Sequence, residues 1–216
     1  MTNEESKSYF APAGSGEGSL VEKRSKFFSL VLPVSDEEAA KEELARVREK
    51  YRDASHNCWC YITGNGVERY SDDGEPQGTA GLPMLEVFRR AGIVNVLCVV
   101  TRYYGGTMLG KGGLMRAYSE TAKHALENAG IAEYKLYESM EVTCSYNMNN
   151  HVKHELETFG VIINGIEYAE NVMFKLSLPF NRSAELNKNL ADLTSGDVQG
   201  VITGTEYIKF RSSDTV

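Results

Sequence analysis

Residues Ile93 to Val100 (IVNVLCVV) form the longest nearly apolar run in the chain, and five glycines fall within the thirteen residues that follow it. Eight residues are far fewer than the roughly 20 needed for a membrane-spanning helix. The run therefore reads as a strand covered on both faces and central in its sheet. A strand of that kind needs other strands beside it and helices above it, so the chain must fold into packed layers around a core. With 216 residues, 42% hydrophobic and 25% charged, the chain suits one large or two small domains, and either half could bury a core.

Periodicity supplies those layers. In the first half, Ser19 to Glu22 and Lys26 to Leu32 read as strands. Asp36 opens a helix whose Ala40, Leu44 and Val47 share one face. His56 to Ile62 turns at Gly64, Asn65 and Gly66 into Val67 to Tyr70 as a hairpin. Pro83 sits in the first turn of the next helix, with Thr79 as its expected cap. Leu114, Tyr118, Thr121, Ala125 and Leu126 mark a helix ended by Gly130. The second half reads as strand Ser139 to Tyr146, a helix from Asn149 to Gly160, strands Val161 to Tyr168 and Val172 to Leu178, a helix capped by Asn181 and ended by Gly196, and strand Val201 to Phe210. That β-α-β-β-α-β order is the ferredoxin-like arrangement, an antiparallel sheet with both helices on one face. The fold class is α+β in two domains, 19–136 and 137–216, preceded by a flexible, polar and acidic stretch over 1–18.

The formal net charge is -7, which argues against a general electrostatic grip on nucleic acid or anionic lipid, because such binding requires excess Lys and Arg. Residues 1–136 hold 19 acids against 17 bases and the remainder 11 against 6, so the second domain carries most of the negative charge. From Val87 to Ser119, by contrast, there are five basic residues and no acidic one. Cys58, Cys60, Cys98 and Cys144 stand in apolar or alternating stretches and read as reduced and buried. No apolar leader precedes the first domain, so a cytoplasmic protein without membrane spans is expected.

Two loops can carry chemistry. After the apolar strand come Arg102, Gly105, Gly106, Gly110, Lys111, Gly112, Gly113 and Arg116, a glycine-rich turn into a helix N-terminus flanked by cations. Glycines let backbone approach a ligand closely, and a helix N-terminus favours anions. The stretch is either an anion or phosphate-backbone site, or a tight turn with solvated arginines. Gly105 to Lys111 fits G-x-x-x-x-G-K, but Gly112 stands where a magnesium-binding Ser or Thr is needed, so nucleotide hydrolysis is not expected. The second loop contains Asp72, Asp73 and Glu75. It reads as a turn and salt-bridge partner of the basic loop, with metal binding or acid/base catalysis as the alternative. His56 beside Cys58 suggests a base and nucleophile or, more simply, a satisfied strand-end histidine. Cys58 and Cys60 share a strand face without the ligands that complete a zinc site, and His151 and His154 read as surface residues. No metal and no cofactor is expected.

Ala54-Ser55-His56-Asn57-Cys58, Asp72-Asp73-Gly74-Glu75-Pro76 with Gly78-Thr79-Ala80-Gly81, and Val99-Val100-Thr101-Arg102-Tyr103-Tyr104-Gly105-Gly106 with Leu109-Gly110 and Gly112-Gly113-Leu114 resemble the signatures of the YigZ/IMPACT family. The stretch Lys23 to Phe28 shares the likeness, which covers most of residues 19 to 130. It implies a first domain with the fold shared by domain IV of elongation factor G and a ribosomal small-subunit protein, and a second resembling a ferredoxin-like elongation-factor domain. Eukaryotic members are translation regulators that compete, through an additional N-terminal domain, for the activator of a starvation kinase. That domain does not precede the shared one here, so the expected partners are RNA, the ribosome or a translation-related protein. The combined expectation is a non-enzymatic, translation-associated binding protein. Its anion contacts would be Arg102, Lys111 and Arg116, with Arg102 facing outward. The alternative is an enzyme acting on a phosphorylated metabolite through Asp72, Asp73, Glu75 or His56.

Overall fold

The computed structural model describes residues 8–211. These form two compact units that divide between Glu133 and Tyr134. Part of the stretch expected to be flexible is ordered. Residues Ser8–Pro12 (β1) and Gly16–Glu22 (β2) are strands, while residues 1–7 lie outside the described residues. The N-H of Val94 donates to the Phe10 carbonyl, and that of Ala13 donates to Gly130. Backbone bonding thus fixes a segment whose composition alone carries no strand signal.

In the first unit β2 is followed by β3 (Ser25–Pro33), α1 (Glu37–Lys50), β4 (His56–Ile62), β5 (Glu68–Ser71), α2 (Gly81–Arg90), β6 (Val96–Tyr103) and α3 (Lys111–Ala129). The sheet order is β2-β3-β6-β4-β5, and every pairing is antiparallel. The apolar run is central, as its composition predicted. Val96, Cys98 and Val100 pack with Phe27, Met84, Phe88 and Tyr118 beneath α2 and α3. Leu97 and Val99 meet Ala40, Leu44 and Val47 of α1 on the other face. Burying each such large side chain contributes about 1.5–3 kcal/mol. Asp36 caps α1 by accepting from the Ala39 N-H at 2.8 Å.

The second unit continues β7 (Ile131–Cys144) into α4 (Asn149–Phe159), β8 (Ile162–Tyr168), β9 (Val172–Pro179), α5 (Ser183–Thr194) and β10 (Gly200–Arg211). Strand order is β1-β7-β9-β8 with β10 paired to β7, and β9 is antiparallel to both neighbours. This is the expected split β-α-β arrangement. Val152 and Leu156 of α4 share one core with Leu186 and Leu190 of α5, so both helices cover the same face. Gly160, left-handed at φ 83°, ends α4.

Two expected caps differ. Asn181 adopts φ 65° ahead of α5 instead of capping it, and Arg182 precedes the helix without a side-chain capping bond. The Thr79 hydroxyl donates to the Pro76 carbonyl at 2.6 Å, which leaves the start of α2 to a residue further back in the loop.

Candidate functional site

That residue is Asp72. Its Oδ1 accepts from the N-H groups of Ala80 and Gly81 at 3.0 and 2.9 Å, and its Oδ2 from Gly78 at 2.8 Å. Its carboxylate therefore caps α2 across the loop, where a negative charge also complements the helix dipole. Asp73, at φ 44°, accepts from the Asn57 N-H at 2.7 Å and from Arg48 at 3.0 Å. His56 Nδ1 lies 2.8 Å from the Asp73 carbonyl oxygen. A carbonyl only accepts, so this bond selects the tautomer with the proton on Nδ1.

Glu75 enters the core, 8% exposed. Its Oε1 accepts from Arg102 Nη1 at 2.6 Å and from the Tyr118 hydroxyl at 2.8 Å. Arg102 is 5% exposed. Its Nη2 donates to Ser25 Oγ at 3.2 Å, and its guanidinium lies 5.4 Å from the ring centres of both Phe27 and Tyr104. The expectation of an outward Arg102 is thereby corrected. On β6 its parity matches Val100 and Cys98, which points it under α3, where a buried carboxylate offsets the cost of desolvating it. Cys58 Sγ contacts the Asp72 carbonyl and the Tyr118 hydroxyl. Burial pushes both the Cys58 thiol and the Tyr118 phenol well up, so Cys58 is held as an unreactive thiol. All four cysteines are buried and unbridged.

Asp72, Asp73, Glu75 and His56 do come together, but each is engaged in holding the loop. Among the described residues no group of three or more His, Cys, Asp or Glu side chains could hold a metal. His151 and His154 are exposed.

The glycine-rich loop faces outward. Gly106 and Gly110 take φ 82° and 72°. α3 begins at Lys111, two residues earlier than the sequence pattern suggests, with no side-chain cap, so its first N-H groups remain unpaired by the helix. A Cβ at Gly112 would meet nothing within 4 Å. Arg116 lies one turn along α3 from Gly112. Arg116 also lines a groove of about 660 Å³ between α2 and α3. Lys111 and Arg116 are exposed and form no ion pair among the described residues.

Gly105 serves a different purpose. A Cβ there would fall inside the backbone of Arg24 and Ser25, so the loop rests directly on the β2–β3 turn. The sequence pattern flanks that turn with strands and assigns Lys23 and Arg24 no role. The signal available was the pair of cations where a tight hairpin favours Asn-Gly.

Residues 23–126 match the Impact N-terminal domain, and residues 142–197 match a domain of unknown function, DUF1949. The IMPACT family member YvyE of Bacillus subtilis is 35% identical over 191 residues, covering 88% of each chain. The chain belongs to the IMPACT family. The IMPACT family member YigZ of Escherichia coli is 34% identical, covering 82% of this chain and 89% of its own. Protein IMPACT of Mus musculus matches over 96 residues, 42% of this chain and 30% of its own, at 34% identity. A crystal structure of a hypothetical protein superposes with a TM-score of 0.60 at 31% identity, over 90% of this chain and 96% of that one. The likeness to the mouse IMPACT protein is thus partial, whereas the bacterial IMPACT members match across both units. No helix among the described residues is long and apolar enough to cross a membrane.

Proposed function

We propose that this IMPACT-family protein is a non-enzymatic, translation-associated regulator that binds RNA, alone or within the ribosome, through the basic glycine-rich loop at the start of α3. The supporting observation is the contrast between the two loops. Lys111 and Arg116 are exposed and form no ion pair among the described residues, beside a helix start with no side-chain cap, while the carboxylates that an enzyme acting on a phosphorylated metabolite would use are engaged internally. Free N-H groups, a helix dipole and two exposed cations favour a phosphate oxygen. An overall charge of -7 limits that attraction to the local patch.

The reading is tested by binding to single-stranded RNA and co-sedimentation with ribosomes across a salt series. Affinity should fall as salt rises, and Lys111→Ala should flatten the slope of log affinity against log salt by about 0.7, as for one lost single-strand phosphate contact. The melting temperature should not move. Absence of binding to both, or magnesium-dependent turnover of a nucleotide that Lys111→Ala abolishes, would overturn the reading.

A further inference from the structure

Lys23 and Arg24 occupy a backbone conformation that side chains avoid. Glu22 pairs with Ser25 across β2 and β3, so the hairpin loop contains only these two residues. Their φ angles are 44° and 68°. Positive φ at both positions is the signature of a type I′ turn, which ordinarily takes Asn-Gly because a Cβ is disfavoured there. Here the positions hold two long cations. Both are exposed and form no ion pair among the described residues.

The turn is held from below by the buried cluster. The backbone of Gly105 lies against Arg24 and Ser25, leaving no room for a Cβ. Ser25 Oγ accepts from the Gly105 N-H and from Arg102 Nη2, each at 3.2 Å. Arg102 is in turn fixed by Glu75. This chain from Glu75 through Arg102 and Ser25 maintains the disfavoured turn and projects both cations outward. Strain retained in this way points toward function. Next to Gly105 stands Tyr104, 51% exposed, with its ring over the Arg102 guanidinium.

We propose that the Lys23–Arg24 turn contacts phosphates of single-stranded RNA, with Tyr104 beside it as a platform for one base. This rests on the RNA-binding reading above and extends the contact surface from α3 to the hairpin tip. Paired cations next to an exposed aromatic ring are the combination that grips single strands without regard to sequence. A rigid duplex would bring many phosphates over the acidic remainder of the chain, whereas a single strand can bend to follow a short basic path. Arg102 is a positioning residue in this account and touches no RNA.

The test uses the full chain and a labelled mixed-sequence RNA of about 20 nucleotides, followed by anisotropy between about 50 and 200 mM salt. Four variants are compared with the wild type: Lys23→Asn/Arg24→Gly, Lys23→Gln/Arg24→Gln, Tyr104→Leu and Lys111→Ala. The Asn-Gly variant installs the favoured turn, so its melting temperature should equal or exceed that of the wild type. Both tip variants should flatten the salt slope by about 1.4, the loss of two single-strand contacts. Tyr104→Leu should weaken binding at an unchanged slope. Polyglutamate of matched charge, which offers neither phosphate nor base, should compete at least tenfold less well than unlabelled RNA.

Folded tip variants with wild-type affinity and slope overturn the proposal, as does polyglutamate competing on equal terms, which would indicate an acidic protein partner. If Lys111→Ala weakens binding while the tip variants do not, the glycine-loop reading survives and only the tip is lost. If the wild type binds no RNA, both fall.

Discussion

Removing the guanidinium of Arg102 would leave the Glu75 carboxylate buried with only Tyr118 to serve it. Breaking one half of such a pair is costly because the remaining charge has lost its water and gained nothing. Arg102→Ala should therefore lower stability by about 3 kcal/mol in urea unfolding. Arg102→Lys should recover little, since an ammonium cannot match the two directions in which the guanidinium reaches Glu75 and Ser25. Adding Glu75→Gln to Arg102→Ala should restore part of the loss by removing the stranded charge. A single mutant as stable as the wild type would show that the pair is immaterial. Sequence alone offers Asp72, Asp73 and Glu75 as partners for this arginine. The choice among them depends on which N-H groups the loop presents: α2 engages Asp72, and Asn57 engages Asp73. The Asp72 bonds span six to nine residues and the Asn57–Asp73 bond sixteen, longer than the three-residue spacing of a capping box.

The elements themselves were far more legible than their contacts. A continuous apolar run placed β6, spacing of Ala40, Leu44 and Val47 placed α1, and Gly160 marked the end of α4, because each signal is local. The glycine-rich loop shows what remains hidden, since glycine in a sequence does not reveal whether it is needed for conformation, close packing or open space. Gly105 and Gly112 separate these uses. Gly105→Ala would drive a methyl group into the Arg24 backbone and should cost about 2 kcal/mol, within the range of overpacked sites. Gly112→Ala meets open space in the first turn of α3 and should raise stability by about 0.5 kcal/mol through helix propensity. The same methyl would screen the helix start, so RNA affinity should drop even as the protein becomes more stable. Thermal melts paired with anisotropy decide this. A more stable Gly112→Ala that binds as well as the wild type would remove the helix start from the proposed contact.

At the scale of the whole molecule, each unit carries its own core. Buried residues of the first lie between Phe27 and Ala129 in its main cluster, and those of the second between Met140 and Val198. The division nonetheless falls inside β7, between Glu133 and Tyr134. Cutting there should leave a second unit that keeps its β7–β9 pairing from Tyr137 onward and all of its core. Residues 134–216 expressed alone should therefore unfold in one cooperative transition. This fragment should also bind no RNA, because residues 134–216 hold 11 acids against 7 bases and supply none of the proposed contacts. If its negative field only repels a polyanion, fusing it back to the first unit should weaken RNA binding at low salt and make little difference at high salt, where screening shortens its reach to under about 10 Å. A 134–216 fragment without a thermal transition would show that its core needs the first unit, and one that binds RNA would move the interface away from the glycine-rich loop.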